Sequence, residues 1–85
     1  MRDLLLTIYC PSTAKMYDFW VPTNMPVSQA IDLICEDIKS VENDNDIFHS
    51  IDDLVLCSYQ NRQVLQHNLS FGQSGVKSGD KLALV

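Results

Sequence analysis

The chain has 85 residues, enough for one domain, and at 46% hydrophobic and 20% charged residues it is too apolar for disorder and ordinary for a soluble globular fold. Eleven acids against six bases leave a net charge of −5, which argues against nucleic acid and against direct binding to anionic lipid. A domain of this size buries only roughly 60–65% of the surface of its unfolded chain, so its core is thin.

In chain order, MRDLLLTIYC carries a short apolar run with an acid in it and no small-residue cleavage site. It reads as a strand over Leu4 to Tyr9 rather than a signal peptide, and the expected location is the cytoplasm. CPST breaks that strand. MYDFWV, Met16 to Val21, sets Tyr17, Phe19 and Val21 against Met16, Asp18 and Trp20, and Pro22 ends it. Two such strands across a short polar loop predict a hairpin. In PTNMPVSQAIDLICEDIKSV, Pro26 suits the first turn of a helix because it has no N–H to leave unbonded. Apolar residues then fall at Val27, Ile31, Ile34, Ile38 and Val41, a single stripe at helical spacing, with Ala30 and Cys35 at its edges. Gln29, Asp32, Glu36 and Ser40 face the other way, and Leu33 on that side is a candidate exposed residue.

ENDNDIFHSIDD, Glu42 to Asp53, reads as a solvated acidic loop. Asp44 and Asp46 mimic the first two positions of a calcium-binding loop, but Phe48, His49 and Val55 stand where a ligand, a glycine and a glutamate are needed. LVLCSY, Leu54 to Tyr59, predicts a third strand and VLQ a brief fourth. HNLSFGQSGV is a connection that needs Leu69 and Val76 as core anchors, and Lys81 to Val85 predicts the fifth strand. The order β-β-α-β-β-β, with one amphipathic helix, is an α+β, β-grasp layout: a mixed sheet of four to five strands in one domain over residues 1–85. The two apolar end strands fit if they pair in parallel at the centre of the sheet.

Chemistry-bearing patterns are few. Cys10, Cys35 and Cys57 are odd in number, far apart and without a C-x-x-C pair, so they read as reduced structural thiols. His49 and His67 have no Cys or His at metal-ligand spacing, so neither a zinc site nor any other metal or cofactor is implied. There is no nucleophile elbow, H-E-x-x-H or phosphate loop, and the expectation is that the protein is not an enzyme.

Three stretches carry a family resemblance over essentially the whole chain. YDFWVP (Tyr17 to Pro22), PVSQAIDLI (Pro26 to Ile34) and GVKSGDKLALV (Gly75 to Val85) resemble the second strand, helix start and last strand of small ubiquitin-like proteins of the YukD/EsaB type, encoded with Gram-positive type VII (WXG100) secretion systems. The connection QHNLSFGQSG is a little longer than that pattern. The resemblance implies a non-enzymatic, cytoplasmic adaptor or accessory protein. A similar domain is fused to a membrane channel component in related actinobacterial systems, so the implied partners are cytoplasmic parts of membrane or ATPase subunits, with recruitment to the inner face of the membrane. Conjugated and sulfur-carrier relatives end in an exposed Gly-Gly; this sequence ends Leu84-Val85, so docking is expected rather than conjugation.

If the helix covers the face that holds Leu4, Leu6, Ile8, Tyr17, Phe19, Val21, Leu54, Leu56, Leu82 and Leu84, the other face carries Leu5, Thr7, Trp20, Val55, Cys57, Tyr59, Ala83 and Val85. A merely wetted face is polar at alternate positions, and this one keeps large apolar groups. Leu5, Trp20, Val55, Cys57, Tyr59, Ala83 and Val85 are therefore the expected protein-docking patch, with Trp20 and Tyr59 as aromatic anchors. The acidic loop is the alternative contact surface. The other readings left open are a self-associating structural module and a truncated β-grasp carrier.

Overall fold

Period-two alternation of apolar residues builds the first two strands, β1 (Asp3–Cys10) and β2 (Lys15–Pro22), which pair antiparallel in full register from Asp3–Pro22 to Cys10–Lys15. The structure is a computed structural model and describes residues 3–85; Met1 and Arg2 of the expected first segment and domain lie outside the described residues. Leu4, Leu6 and Ile8 are buried, and Val21 joins them from β2. The helix α1 (Val27–Glu42) follows, then one 3-10 turn (Ile51–Asp53), β3 (Leu56–Ser58), β4 (Gln63–Val64) and β5 (Lys81–Leu84). The five strands form one mixed sheet in the order β2-β1-β5-β3-β4. β5 lies parallel to β1, Ile8 beside Leu82, and antiparallel to β3, Leu84 beside Leu56. One helix packed on this sheet is the β-grasp arrangement.

The core lies between α1 and one face of the sheet. Val27, Ile31, Ile34 and Ile38 meet Leu6, Ile8, Leu56, Leu82 and Leu84, all buried, with Ala30 and Cys35 buried beside them. Each such aliphatic side chain contributes about 1.5–3 kcal/mol by leaving water. Tyr17, Phe19 and Leu54 pack on this cluster but stay half-buried, because β2 is an edge strand and Leu54 precedes β3. Leu33 is exposed, as its place on the helix requires.

Val41, expected on the buried stripe, is instead 71% exposed. It lies in the last turn of α1 and overhangs a hollow beside Tyr17 and Phe19 that no side chain fills. Pro26 is the residue before the helix, extended at ψ 141°, rather than its first turn. The first helical amides are bonded from a distance: Val27 N–H donates to Leu69 O (2.9 Å) and Ser28 N–H to His67 O (3.1 Å). At the other end Asn43 turns left-handed at φ 53°, and its amide and that of Asp44 close back on the carbonyls of Ser40 and Lys39.

The long connection is anchored differently from expectation. Leu65, Phe71 and Val76 are buried, Phe71 completely, while Leu69 is only half-buried. The larger phenylalanine takes the core position, and the backbone of Leu69 serves the start of the helix. The acidic segment expected from Glu42 to Asp53 is not wholly solvated either: its aspartates are exposed, but Glu42 closes α1 and is half-buried, and Ile47, Phe48 and Ile51 pack against the core. The third strand is regular only over Leu56–Ser58, the fourth over Gln63–Val64 rather than Val64 to Gln66, and the fifth ends at Leu84.

Across the fold, Lys15 Nζ bonds Glu42 Oε1 at 2.7 Å. The Tyr17 hydroxyl lies 3.0 Å from Glu42 Oε2 and 2.8 Å from Thr13 Oγ1. This network ties the start of β2 and the hairpin loop to the last turn of α1.

Candidate protein-docking surface

Strand alternation assigns the residues of the outer face, and strand register arranges them in rows. The longest row crosses all five strands. Met16 pairs with Tyr9, Tyr9 with Ala83, Ala83 with Cys57 and Cys57 with Val64. With neighbouring strands about 4.7–4.9 Å apart, the row spans roughly 19 Å. Its ends are open, Met16 at 55% and Val64 at 57% exposure, and its middle is low, Ala83 at 9%. Ala83 is buried because its one-carbon side chain stands between Tyr9 and Cys57 on the neighbouring strands.

A second row is polar. Thr7 pairs with Asp18 and with Lys81, and Thr7 Oγ1 donates to Asp18 Oδ1 at 2.9 Å. Tyr59 meets this row at its far end, where its amide donates to Lys81 O at 3.2 Å. Met16, Lys81, Gln60 and Tyr59 surround a shallow depression of about 490 Å3. Beyond the polar row Leu5 faces Trp20, which is 67% exposed. On the other side of the apolar row Val55 faces Val85.

The seven residues expected at the patch are thus all on the outer face, but not as one field. Cys57 and Ala83 are neighbours in the apolar row, and Val55 and Val85 flank it. Leu5 and Trp20 form a separate corner across the polar row, and Tyr59 stands at the end of that row, half exposed. Met16, Tyr9 and Val64 complete the apolar row and were not in the expected set. The alternation that turns Leu5 and Thr7 outward also turns Tyr9 outward, so the signal for it is present in the sequence.

No protein-family model matches the chain, and no curated protein matches it. Solved structures do. The EccD5 ubiquitin-like domain from Mycobacterium xenopi superimposes with a TM-score of 0.78 at 18% identity, covering 100% of this chain and 94% of that one. The ubiquitin-like domain of the Mycobacterium tuberculosis type VII secretion system protein EccD1 gives 0.72 at 22% identity, covering 100% and 99%. A ubiquitin-like domain of the Arabidopsis thaliana protein At2g32350 gives 0.71 at 19% identity, covering 100% and 78%. The fold is ubiquitin-like.

The three cysteines of this ubiquitin-like fold are free thiols. Cys10 and Cys35 are buried, and burial pushes the Cys35 thiol up to about 11. Cys57, in the apolar row, is half-buried. Among the described residues no helix is long and apolar enough to cross a membrane.

Proposed function

We propose that this chain is a non-enzymatic ubiquitin-like adaptor of a type VII secretion apparatus, which docks a protein partner on the outer face of its sheet. The observation that carries the reading is the apolar row from Met16 to Val64 on a face where alternate positions of a wetted sheet are polar. The resemblance of YDFWVP, PVSQAIDLI and GVKSGDKLALV to the YukD/EsaB type supports the secretion assignment. So does the likeness in fold to two EccD domains over the whole of this chain. The expected partners are cytoplasmic portions of membrane or ATPase subunits, and the place of action is the cytoplasmic side of the membrane. Leu5, Trp20, Val55, Cys57, Tyr59, Ala83 and Val85 supply the face together with Met16, Tyr9 and Val64.

Retention of cytoplasmic fragments of the secretion subunits on the immobilised protein tests this. Wild type is compared with Trp20→Ala, Tyr59→Asp and Val64→Asp. Loss of retention in these variants is the expected result, and equal retention by all of them overturns the docking face. The second reading, a self-associating structural module, rests on the same row, which a second copy covers equally well. Light scattering against concentration separates the two: a monomer at high concentration leaves the face open for a partner.

A further inference from the structure

The two strands beside β1 differ sharply on the outer face. β2 presents Met16, Asp18 and Trp20, in register with Tyr9, Thr7 and Leu5. β5 presents Ala83 beside Tyr9 and Lys81 beside Thr7. The same parallel register sets Gly79 beside Leu5, where its amide donates to Leu5 O at 2.7 Å. So the large, exposed Met16 and Trp20 on one flank have the small Ala83 and Gly79 as their counterparts on the other. A Cβ at Gly79 would meet no atom within 4 Å, so the space above that backbone is open. Between the large and small positions stand charges of opposite sign, Asp18 and Lys81, on either side of Thr7. Within one chain they do not satisfy each other, because two strand spacings hold the residues about 10 Å apart. Asp18 Oδ1 accepts from Thr7 Oγ1, and Lys81 has no carboxylate in salt-bridge range among the described residues.

A two-fold axis lying along β1, over Thr7, turns these unlike flanks onto one another. β1 then faces β1, and β2 of each copy faces β5 of the other. Met16 stands over the low site at Ala83, Trp20 stands over Gly79, and Asp18 meets Lys81 twice. Large side chains set over small ones let two layers interdigitate. Twisted sheets stack face to face with their strand directions nearly aligned, as this axis leaves them. The axis at right angles, across the strands, sets Asp18 on Asp18, Lys81 on Lys81 and Met16 on Trp20, so like charges repel and large side chains collide. The exposed acids of α1, Asp32, Glu36 and Asp37, belong to the layer on the other side of the sheet and stay out of the contact.

We propose that a second copy of this chain covers the β2-β1-β5 half of the outer face about this two-fold axis, with Asp18 of each copy paired to Lys81 of the other. β3 and β4 lie beyond the edge of the facing copy, so Val55, Cys57, Tyr59 and Val64 stay uncovered. The covered strip is three strands wide, roughly 10 Å by 14 Å between Leu5 and Tyr9. Permanent dimers bury larger surfaces, so this one is weak and exchanges. The uncovered half is left for the protein partner, and only that use of it rests on the docking reading.

Sedimentation of the full chain over a range of concentrations tests this. The expected result is reversible growth from one chain to two and no further. Asp18→Lys and Lys81→Asp should each weaken dimerisation about tenfold or more. An equimolar mixture of these two variants should restore it, because every contact then joins opposite charges, and the double variant should dimerise as wild type does. Val64→Asp should leave dimerisation unchanged while it lowers partner retention, so the dimer and the docking reading fail separately. The proposal is overturned if wild type stays a monomer up to millimolar concentration, if growth continues past two chains, or if the mixture of single variants stays monomeric. It is also overturned if Val64→Asp dissociates the dimer as the charge variants do.

Discussion

Val55 and Val85 hold each other by two backbone hydrogen bonds, the amide of each donating to the carbonyl of the other at 2.9 and 3.0 Å. The β3–β5 ladder thus continues one pair beyond both regular strands. With Leu82 and Leu84 buried beneath it, the segment from Lys81 to Val85 is scaffold for the sheet.

Amide protons of Leu82, Leu84 and Val85 are therefore expected to exchange at rates set by global unfolding, not by local fraying. Leu82→Ala, at a fully buried site between β1 and β3, should cost about 2–5 kcal/mol in urea unfolding. Free exchange of these amides in the native protein would contradict the paired Val55–Val85 geometry.

The ends of the apolar row separate binding from folding. Met16→Lys and Val64→Lys remove exposed side chains at the two rims and should change stability by less than about 0.5 kcal/mol. If the row is the docking face, the same changes weaken partner retention about tenfold or more. Urea midpoints and retention measured on the same preparations check both halves of this expectation.

Alternation in LLLTIY and MYDFWV carries the hairpin, and the helical stripe from Val27 to Ile38 carries α1, because both depend on local periodicity. Depth does not. Tyr17 and Phe19 share parity with Val21 yet stay half-buried on an edge strand, and Val41 sits at stripe spacing yet overhangs a groove. In HNLSFG either Leu69 or Phe71 could anchor the core, and only the closed fold selects Phe71. The candidate face shows the same division. The outward residues follow from strand parity, but the row joining Met16 to Val64 requires three further pairings among β1, β5, β3 and β4, and inter-strand register leaves no mark in one sequence.

The thiols offer a third check. Cys57 is the accessible cysteine, while Cys10 is buried and Cys35 is both buried and held at about 11. A thiol-reactive dye near neutral pH should label one cysteine quickly and the other two only after denaturant is added, because the thiolate is the reacting form. Rapid labelling of all three in the native state would contradict the packing of α1 on β1.

Acid should weaken the fold in part through Glu42. The hydrogen bond from Lys15 Nζ, then that from the Tyr17 hydroxyl, holds the Glu42 carboxyl below the usual carboxylate range. The folded state thus prefers the ionised form. Its contribution to stability is fully present above the ordinary glutamate range and is lost as pH falls through the lowered folded-state value. Lys15 is raised, first by the hydrogen bond to Glu42, so its own contribution is present below the ordinary lysine range and is lost only as pH rises beyond it. Tyr17 is also raised, chiefly by burial, and stays a protonated donor throughout. Glu42→Gln should therefore lower the melting temperature near neutral pH and converge with wild type in acid, with the difference shrinking as salt screens this exposed pair. Thermal melts of both proteins from pH 7 down to pH 3 measure it. A difference that stays constant across that range would show that the Glu42 charge contributes nothing to joining α1 to β2.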